Sequence, residues 1–180
     1  MIETDLINGC KKQDRRTQQL VYNRYGAKVL GICRRYMKDR ERAEEMVMNT
    51  FLSVFQKIDQ YNNKGSFEGW ILRITVNYCL SELRKKTNFN TEISHDIIQL
   101  SDRNNTLDSI DREDIEKMLA TLPESARIIF NMHAIEGYKH KEIAEQLNIS
   151  EGTSKSQLNY AKEKLKKTFF TEFVPKTKNS

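Results

Sequence analysis

The sequence predicts an all-α protein: two small helical domains, residues 1–88 and 110–172, joined by an acidic flexible linker at 89–109. Three observations carry this reading. Apolar residues recur every three to four positions through both halves of the chain, the period of a helix with one buried face. Prolines number two in 180 residues, so almost nothing interrupts those periods. The charge is also unevenly spread. Residues 1–90 hold 17 Lys/Arg against 10 Asp/Glu, residues 91–114 hold 2 against 7, and residues 115–180 hold 11 against 8. Two basic modules therefore flank an acidic connector, and basic modules favour a polyanionic partner.

In chain order, the first helical period covers about 5–25, with Leu6, Ile7, Leu20, Val21 and Tyr25 as core positions. A second covers about 27–37. Its stripe is Val29, Leu30, Cys33 and Met37, and Arg34 and Arg35 lie outside. Asp39 is placed to cap a longer helix from Arg40 to Ile58. Its inner face is Ala43, Val47, Thr50, Val54 and Ile58, while Met46, Phe51, Leu52 and Phe55 widen the apolar surface beyond a single stripe. In a small domain such an excess points to a partner. Residues 59–66, DQYNNKGS, are rich in turn formers and read as a loop.

A helix from Phe67 to Lys86 follows. Phe67, Trp70, Ile71, Ile74 and Tyr78 lie on or near one face, and Arg73, Asn77, Ser81, Arg84, Lys85 and Lys86 make the rest polar and basic. Phe67 and Trp70 are expected in the core rather than against bases. Periodicity fades over 87–108, where Asn, Asp, Ser and Thr dominate and a short helical turn is expected near 95–100. Helices resume at about 111–121, stopped by Leu122-Pro123, and at 124–136, with Ile128, Ile129, Met132 and Ile135 inside and Gly137 at the end. Residues 175–180 are expected to fray.

The stretch Lys139 to Lys167 organises the C-terminal half. Ile143, Ala144 and Leu147 fall on one helical face; Ser154, Leu158, Ala161 and Leu165 recur at helical spacing in a second segment. Asn148-Ile149-Ser150 lies between them, with Ser150 suited to cap the second helix and Glu151 to its positive end. Lys155, Ser156, Gln157, Asn159 and Lys162 make the outer face basic and polar. An ordinary helical hairpin with solvated charges has the same period. The tight turn and the outer face favour a DNA-reading helix-turn-helix.

Other function classes find little support. No apolar run approaches the ~20 residues that span a bilayer, and the N-terminus lacks a signal-type segment, so the expected location is the cytoplasm, without membrane insertion. Cys10, Cys33 and Cys79 are far apart, and His95, His133 and His140 are scattered, so metal-ligand spacing is absent. Neither a phosphate-binding glycine loop nor a nucleophile–base set is present. No cofactor, metal or enzyme active site is expected.

The assembled residues resemble one family, the bacterial sigma factors of the extracytoplasmic-function group. Arg42 to Phe55, RAEEMVMNTFLSVF, is similar to that family's DAEDVVQETFLRVW stretch, and Phe67 to Asn77, FEGWILRITVN, to its FRGWLYRIAVN stretch. Leu122-Pro123 and Glu136 to Ala144 resemble the opening of its C-terminal domain, and Glu151 to Ser156, EGTSKS, resembles EGTVKS. The four pieces stand in the family's order with an acidic stretch between the halves.

The resemblance implies a promoter-specificity subunit that binds core RNA polymerase, with an anti-sigma factor as a further partner. Glu44, Glu45, Met48, Asn49, Leu52 and Phe55 would meet the clamp helices of the polymerase largest subunit. Tyr61, Asn62, Asn63, Lys64, Arg73, Asn77 and Arg84 would hold the single-stranded minus-ten element, where a base trapped outside the stack needs a polar pocket and backbone neutralisation. The C-terminal domain would dock on the polymerase flap and set Thr153, Lys155, Ser156, Gln157, Asn159, Tyr160 and Lys162 in the major groove of the minus-thirty-five element. The acidic linker would follow the basic RNA exit path.

Several positions depart from the family pattern. Arg42, Met48 and Asn49 stand where Asp, Gln and Glu are common. Ser154 replaces an apolar residue, at an expected cost in burial. Gln157 and Tyr160 stand where arginine is common, and since Gln prefers adenine while Arg reads guanine, the promoter sequence is this chain's own. The competing reading is a two-domain helix-turn-helix regulator that acts without polymerase. Such a protein would carry a ligand pocket or dimer interface in its N-terminal half in place of the two motifs found there.

Overall fold

A computed structural model describes residues 2–37, 39–86 and 112–172. The chain divides into two compact units, residues 1–87 and 88–180. Every regular element among the described residues is helical, in agreement with the all-α expectation. The linker at 89–109, its expected turn near 95–100 and the end of the chain from 175 lie outside the described residues.

The first unit holds α1 (Glu3–Lys11), α2 (Arg15–Tyr36), α3 (Arg40–Gln56) and α4 (Phe67–Lys86). α2, α3 and α4 pack pairwise into a three-helix bundle, and α1 lies against α2 and the 3-10 turn Ile58–Gln60. Val21, Tyr25, Val29, Ile32 and Tyr36 of α2 are buried, four or fewer residues apart. Val47, Phe51 and Val54 of α3 and Ile71, Val76 and Leu80 of α4 are buried with them in the core of this unit. Side chains three and four residues apart share a helix face, which is why this spacing buries together.

The helix boundaries differ from expectation in an instructive way. The period expected over 5–25 breaks at 12–14, and α2 then runs unbroken past Gly26. Asp14 makes the break: its carboxylate accepts from the Thr17 backbone N–H at 2.9 Å and from the Thr17 hydroxyl, an N-cap that starts α2. Gln13 beside it sits at φ 57°. A Cβ at Gly9 would land on the Thr17 side chain, so glycine lets α1 cross close to α2. The penalty of Gly26 inside α2, about 1 kcal/mol, is outweighed by the packing on either side of it. The break also changes register. Leu20, an expected core residue, is exposed, while Leu6, Ile7, Val21 and Tyr25 are buried.

The second unit holds α5 (Arg112–Ala120), α6 (Glu124–Phe130), α7 (His140–Leu147) and α8 (Glu151–Glu172). α8 is its spine and packs against α5, α6 and α7. Leu119, Leu122, Ala126 and Ala161 form a buried cluster edged by Phe130, Tyr160 and Leu165. The helix expected over 124–136 changes at Asn131 into a π-helical turn through Ile135. That wider turn carries Ile135 outward to an exposed position instead of the expected core, while Met132 stays fully buried. Gly137, at φ 77°, ends it, and the Tyr138 N–H reaches back to the Met132 carbonyl at 2.9 Å.

Candidate nucleic-acid and polymerase interfaces

On α3 the residues matched to the polymerase contact lie along one side. Glu44, Met48, Leu52 and Phe55 are spaced by four, four and three, which keeps them on one face. Met48 and Leu52 are 59% and 56% exposed, an apolar pair one turn apart in water. Phe55 is half-buried, its ring 6.0 Å from Phe51, which in turn lies 4.9 Å from Tyr22 of α2. Asn49 is half-buried, and Glu44 and Glu45 are exposed, Glu44 accepting from Arg40 Nε at 2.9 Å. The apolar excess is narrower than the sequence suggests. Met46 and Phe51 point inward and are buried, so Met48 and Leu52 make up the exposed part.

The 61–66 loop and α4 form the second surface. Asn62, Asn63 and Lys64 are exposed at the loop. Asn62 Oδ1 accepts from the Lys64 N–H at 3.1 Å, a turn that asparagine makes with its own backbone. Arg73, Asn77 and Arg84 are exposed on α4, at steps of four and seven that hold them on one face. Tyr61 departs from expectation. It is 5% exposed, with its ring 5.2 Å from Phe67 and 5.4 Å from Trp70. An aromatic sunk in this cluster offers no open face for base stacking, contrary to the expectation of Tyr61 as a direct DNA contact. Phe67 is fully buried and stacked on Trp70 at 5.9 Å, in the core as expected.

The helix-turn-helix is the third surface. α7 ends at Asn148, left-handed at φ 54°, and the Ile149 N–H bonds the Ala144 carbonyl at 3.1 Å. Ser150 Oγ then accepts from the Thr153 N–H at 2.9 Å and starts α8. Ser154, Leu158 and Ala161 turn inward. Lys155, Ser156, Asn159 and Lys162 are exposed, and Thr153, Gln157 and Tyr160 are half-buried. Two of these half-buried residues have inward partners: Tyr160 edges the apolar cluster, and Gln157 Oε1 lies 3.5 Å from the Ser125 hydroxyl.

Ser154 is fully buried, and its hydroxyl bonds His140 Nδ1 at 2.9 Å. The expected burial cost is thus met by a polar partner at the first position of α7. The His140 ring stacks on His133 at 4.3 Å, and His133 Nδ1 donates to the Tyr138 carbonyl at 2.8 Å. Burial, then His133, then Lys155 hold the His140 pKa below its ordinary 6.5. A folded state with a depressed pKa binds fewer protons than the unfolded chain, so stability is full above 6.5 and falls as pH drops below it. The second unit should melt at a lower temperature at about pH 5 than at about pH 7, and His140→Gln should flatten that dependence. Equal pH dependence in the two proteins would dismiss the effect.

Comparison with known proteins identifies the family. Residues 21–89 match the model of sigma-70 region 2, and residues 112–165 match the model of sigma-70 region 4. The chain is 21% identical to the RNA polymerase sigma-H factor of Pseudomonas aeruginosa, over 92% of each chain. It is 24% identical to the ECF RNA polymerase sigma-E factor of Haemophilus influenzae, over 88% of this chain and 90% of that protein. Among solved structures it shares the fold of the sigma factor RpoE in complex with the anti-sigma factor NepR from Bartonella quintana, with a TM-score of 0.53, 20% identity, and coverage of 84% of this chain and 98% of that one. The region 2 match takes in α3, the loop and α4, the region 4 match takes in the helix-turn-helix, and the chain belongs to the sigma-70 family, in its extracytoplasmic-function group.

Proposed function

We infer that the protein is a promoter-specificity subunit: it binds core RNA polymerase, opens the minus-ten element and reads the minus-thirty-five element. The observation that carries this is the division of α8 into an inward set, Ser154, Leu158 and Ala161, and an outward set, Lys155, Ser156, Asn159 and Lys162. An α-helix presented this way by a tight turn fits the major groove. The catalysis of transcription belongs to the polymerase; this chain contributes binding and positioning, and it works in the cytoplasm beside that enzyme. None of the helices among the described residues is long and apolar enough to cross a membrane.

Residue roles follow from exposure. Met48 and Leu52 supply the apolar centre of the polymerase contact, with Glu44, Glu45 and Asn49 at its rim and Phe55 beneath. Asn62, Asn63 and Lys64 take the displaced strand, and Arg73, Asn77 and Arg84 neutralise its backbone. In the upstream element Lys155 and Lys162 take phosphates, and Ser156, Gln157 and Asn159 approach base edges. An anti-sigma factor would compete by covering these same surfaces.

Run-off transcription with purified core polymerase, on a library randomised across both promoter elements, tests the whole reading. Wild type should select a defined pair of elements. Lys155→Ala should weaken all sequences alike and lower the salt slope by about one unit. Gln157→Ala should relax one base pair of the upstream element, at about 1–3 kcal/mol on the best site. If no position shifts for Gln157→Ala, base reading rests on the more exposed Ser156 and Asn159. Binding to DNA without core-dependent transcription would favour the polymerase-independent regulator.

A further inference from the structure

Tyr61 is buried as a ring, yet its hydroxyl serves something else. It donates to the Gly65 carbonyl at 2.8 Å, closing the loop across four residues. Phenylalanine would fill the same space between Phe67 and Trp70, so burial alone does not call for the oxygen. The closed loop is one the chain would not favour unaided: Asn63 sits at φ 59° and Gly65 at φ 87°, both left-handed. Its far end is tied down as well. Ser66 Oγ accepts from the Gly69 N–H at 3.0 Å, and the Phe67 N–H faces Glu3 Oε1 of α1 at 3.4 Å. Between these ties Asn62, Asn63 and Lys64 stand exposed.

We propose that Tyr61 is a positioning residue for capture of the minus-ten strand, its hydroxyl bond to Gly65 holding the loop in the one shape that offers Asn62, Asn63 and Lys64 to DNA. The proposal rests on the promoter-specificity reading above. A loop ordered before binding spends less of its contact energy on ordering itself. The loss of the hydroxyl therefore acts on discrimination at the minus-ten element and spares the polymerase contact on α3.

The test is Tyr61→Phe in holoenzyme, with the minus-ten and minus-thirty-five elements randomised separately. The preference of wild type for its best minus-ten sequence should fall roughly five-fold, the worth of one hydrogen bond. The minus-thirty-five preference and the affinity for core polymerase should stay as in wild type, and the melting temperature should fall by no more than the few degrees that one hydrogen bond accounts for. Gly65→Ala, strained at φ 87° with open space around the added carbon, should produce the same defect, and the double variant should be little worse than either single one. An unchanged minus-ten preference in Tyr61→Phe would overturn the proposal while leaving the sigma-factor function standing. So would a variant that loses core binding or whose first unit no longer folds, which would make Tyr61 a core residue only. A wild type that initiates at no promoter would overturn the proposal and the function beneath it together.

Discussion

Leu52→Glu is expected to weaken binding to core polymerase by ten-fold to a hundred-fold while leaving the free protein folded. Leu52 is 56% exposed and Met48, one turn away, 59%. Covering a leucine side chain at an interface contributes about 1.5–3 kcal/mol, and each 1.4 kcal/mol is about a factor of ten in affinity. A glutamate there loses that term and adds the cost of drying an unpaired carboxylate. The free protein is spared because the position already faces water. Its helix is held from the other side by Met46, Val47, Phe51 and Val54. Leu52→Ala should fall between wild type and Leu52→Glu. Titration of labelled protein against core enzyme, with melting curves of all three proteins, separates the outcomes. Equal affinity of wild type and Leu52→Glu would remove α3 from the interface.

The helical architecture and the inward set of α8 were legible because periodicity is a local property: Leu158 and Ala161 are three apart and both buried. What could not be read depended on partners distant in the chain. Ser154 reads as a costly polar residue on a buried stripe until His140, fourteen residues earlier, is found beside its hydroxyl. Tyr61 reads as a DNA contact because its neighbours Asn62, Asn63 and Lys64 are polar; the aromatic cluster that claims it includes Trp70, nine residues later. A third kind of miss lay in plain view. Asp14 followed by Thr17 is a helix-start pattern, and it explains why Leu20 leaves the core register expected for an unbroken 5–25 helix. The π-helical turn at Asn131–Ile135 had no such local mark.

Phe67→Ala should cause the largest loss of stability, because one ring joins α2, the loop and α4 of the first unit. Phe67 is fully buried at the start of α4. Its ring meets Tyr25 of α2 edge-on at 5.9 Å, Tyr61 of the loop at 5.2 Å and Trp70 at 5.9 Å, while its backbone N–H faces Glu3 of α1 at 3.4 Å. Removing a buried phenylalanine side chain costs about 3–5 kcal/mol, against a total of about 5–15 kcal/mol for a typical domain. The three rings around the cavity are too rigid to collapse into it, which places the loss toward the upper end of that range. Trp70 is the sole tryptophan of the chain, so its fluorescence reports the first unit alone. Urea titration followed by that fluorescence should show the midpoint of Phe67→Ala falling steeply, with Phe67→Leu intermediate. The second unit, followed by the remaining helical circular dichroism, should keep its own transition, since none of these contacts reaches it. Core polymerase binding should weaken with the fraction of the first unit unfolded. A midpoint within about 1 kcal/mol of wild type would show that the cluster repacks around the gap, and the loop and α4 would then be held by the bundle core instead.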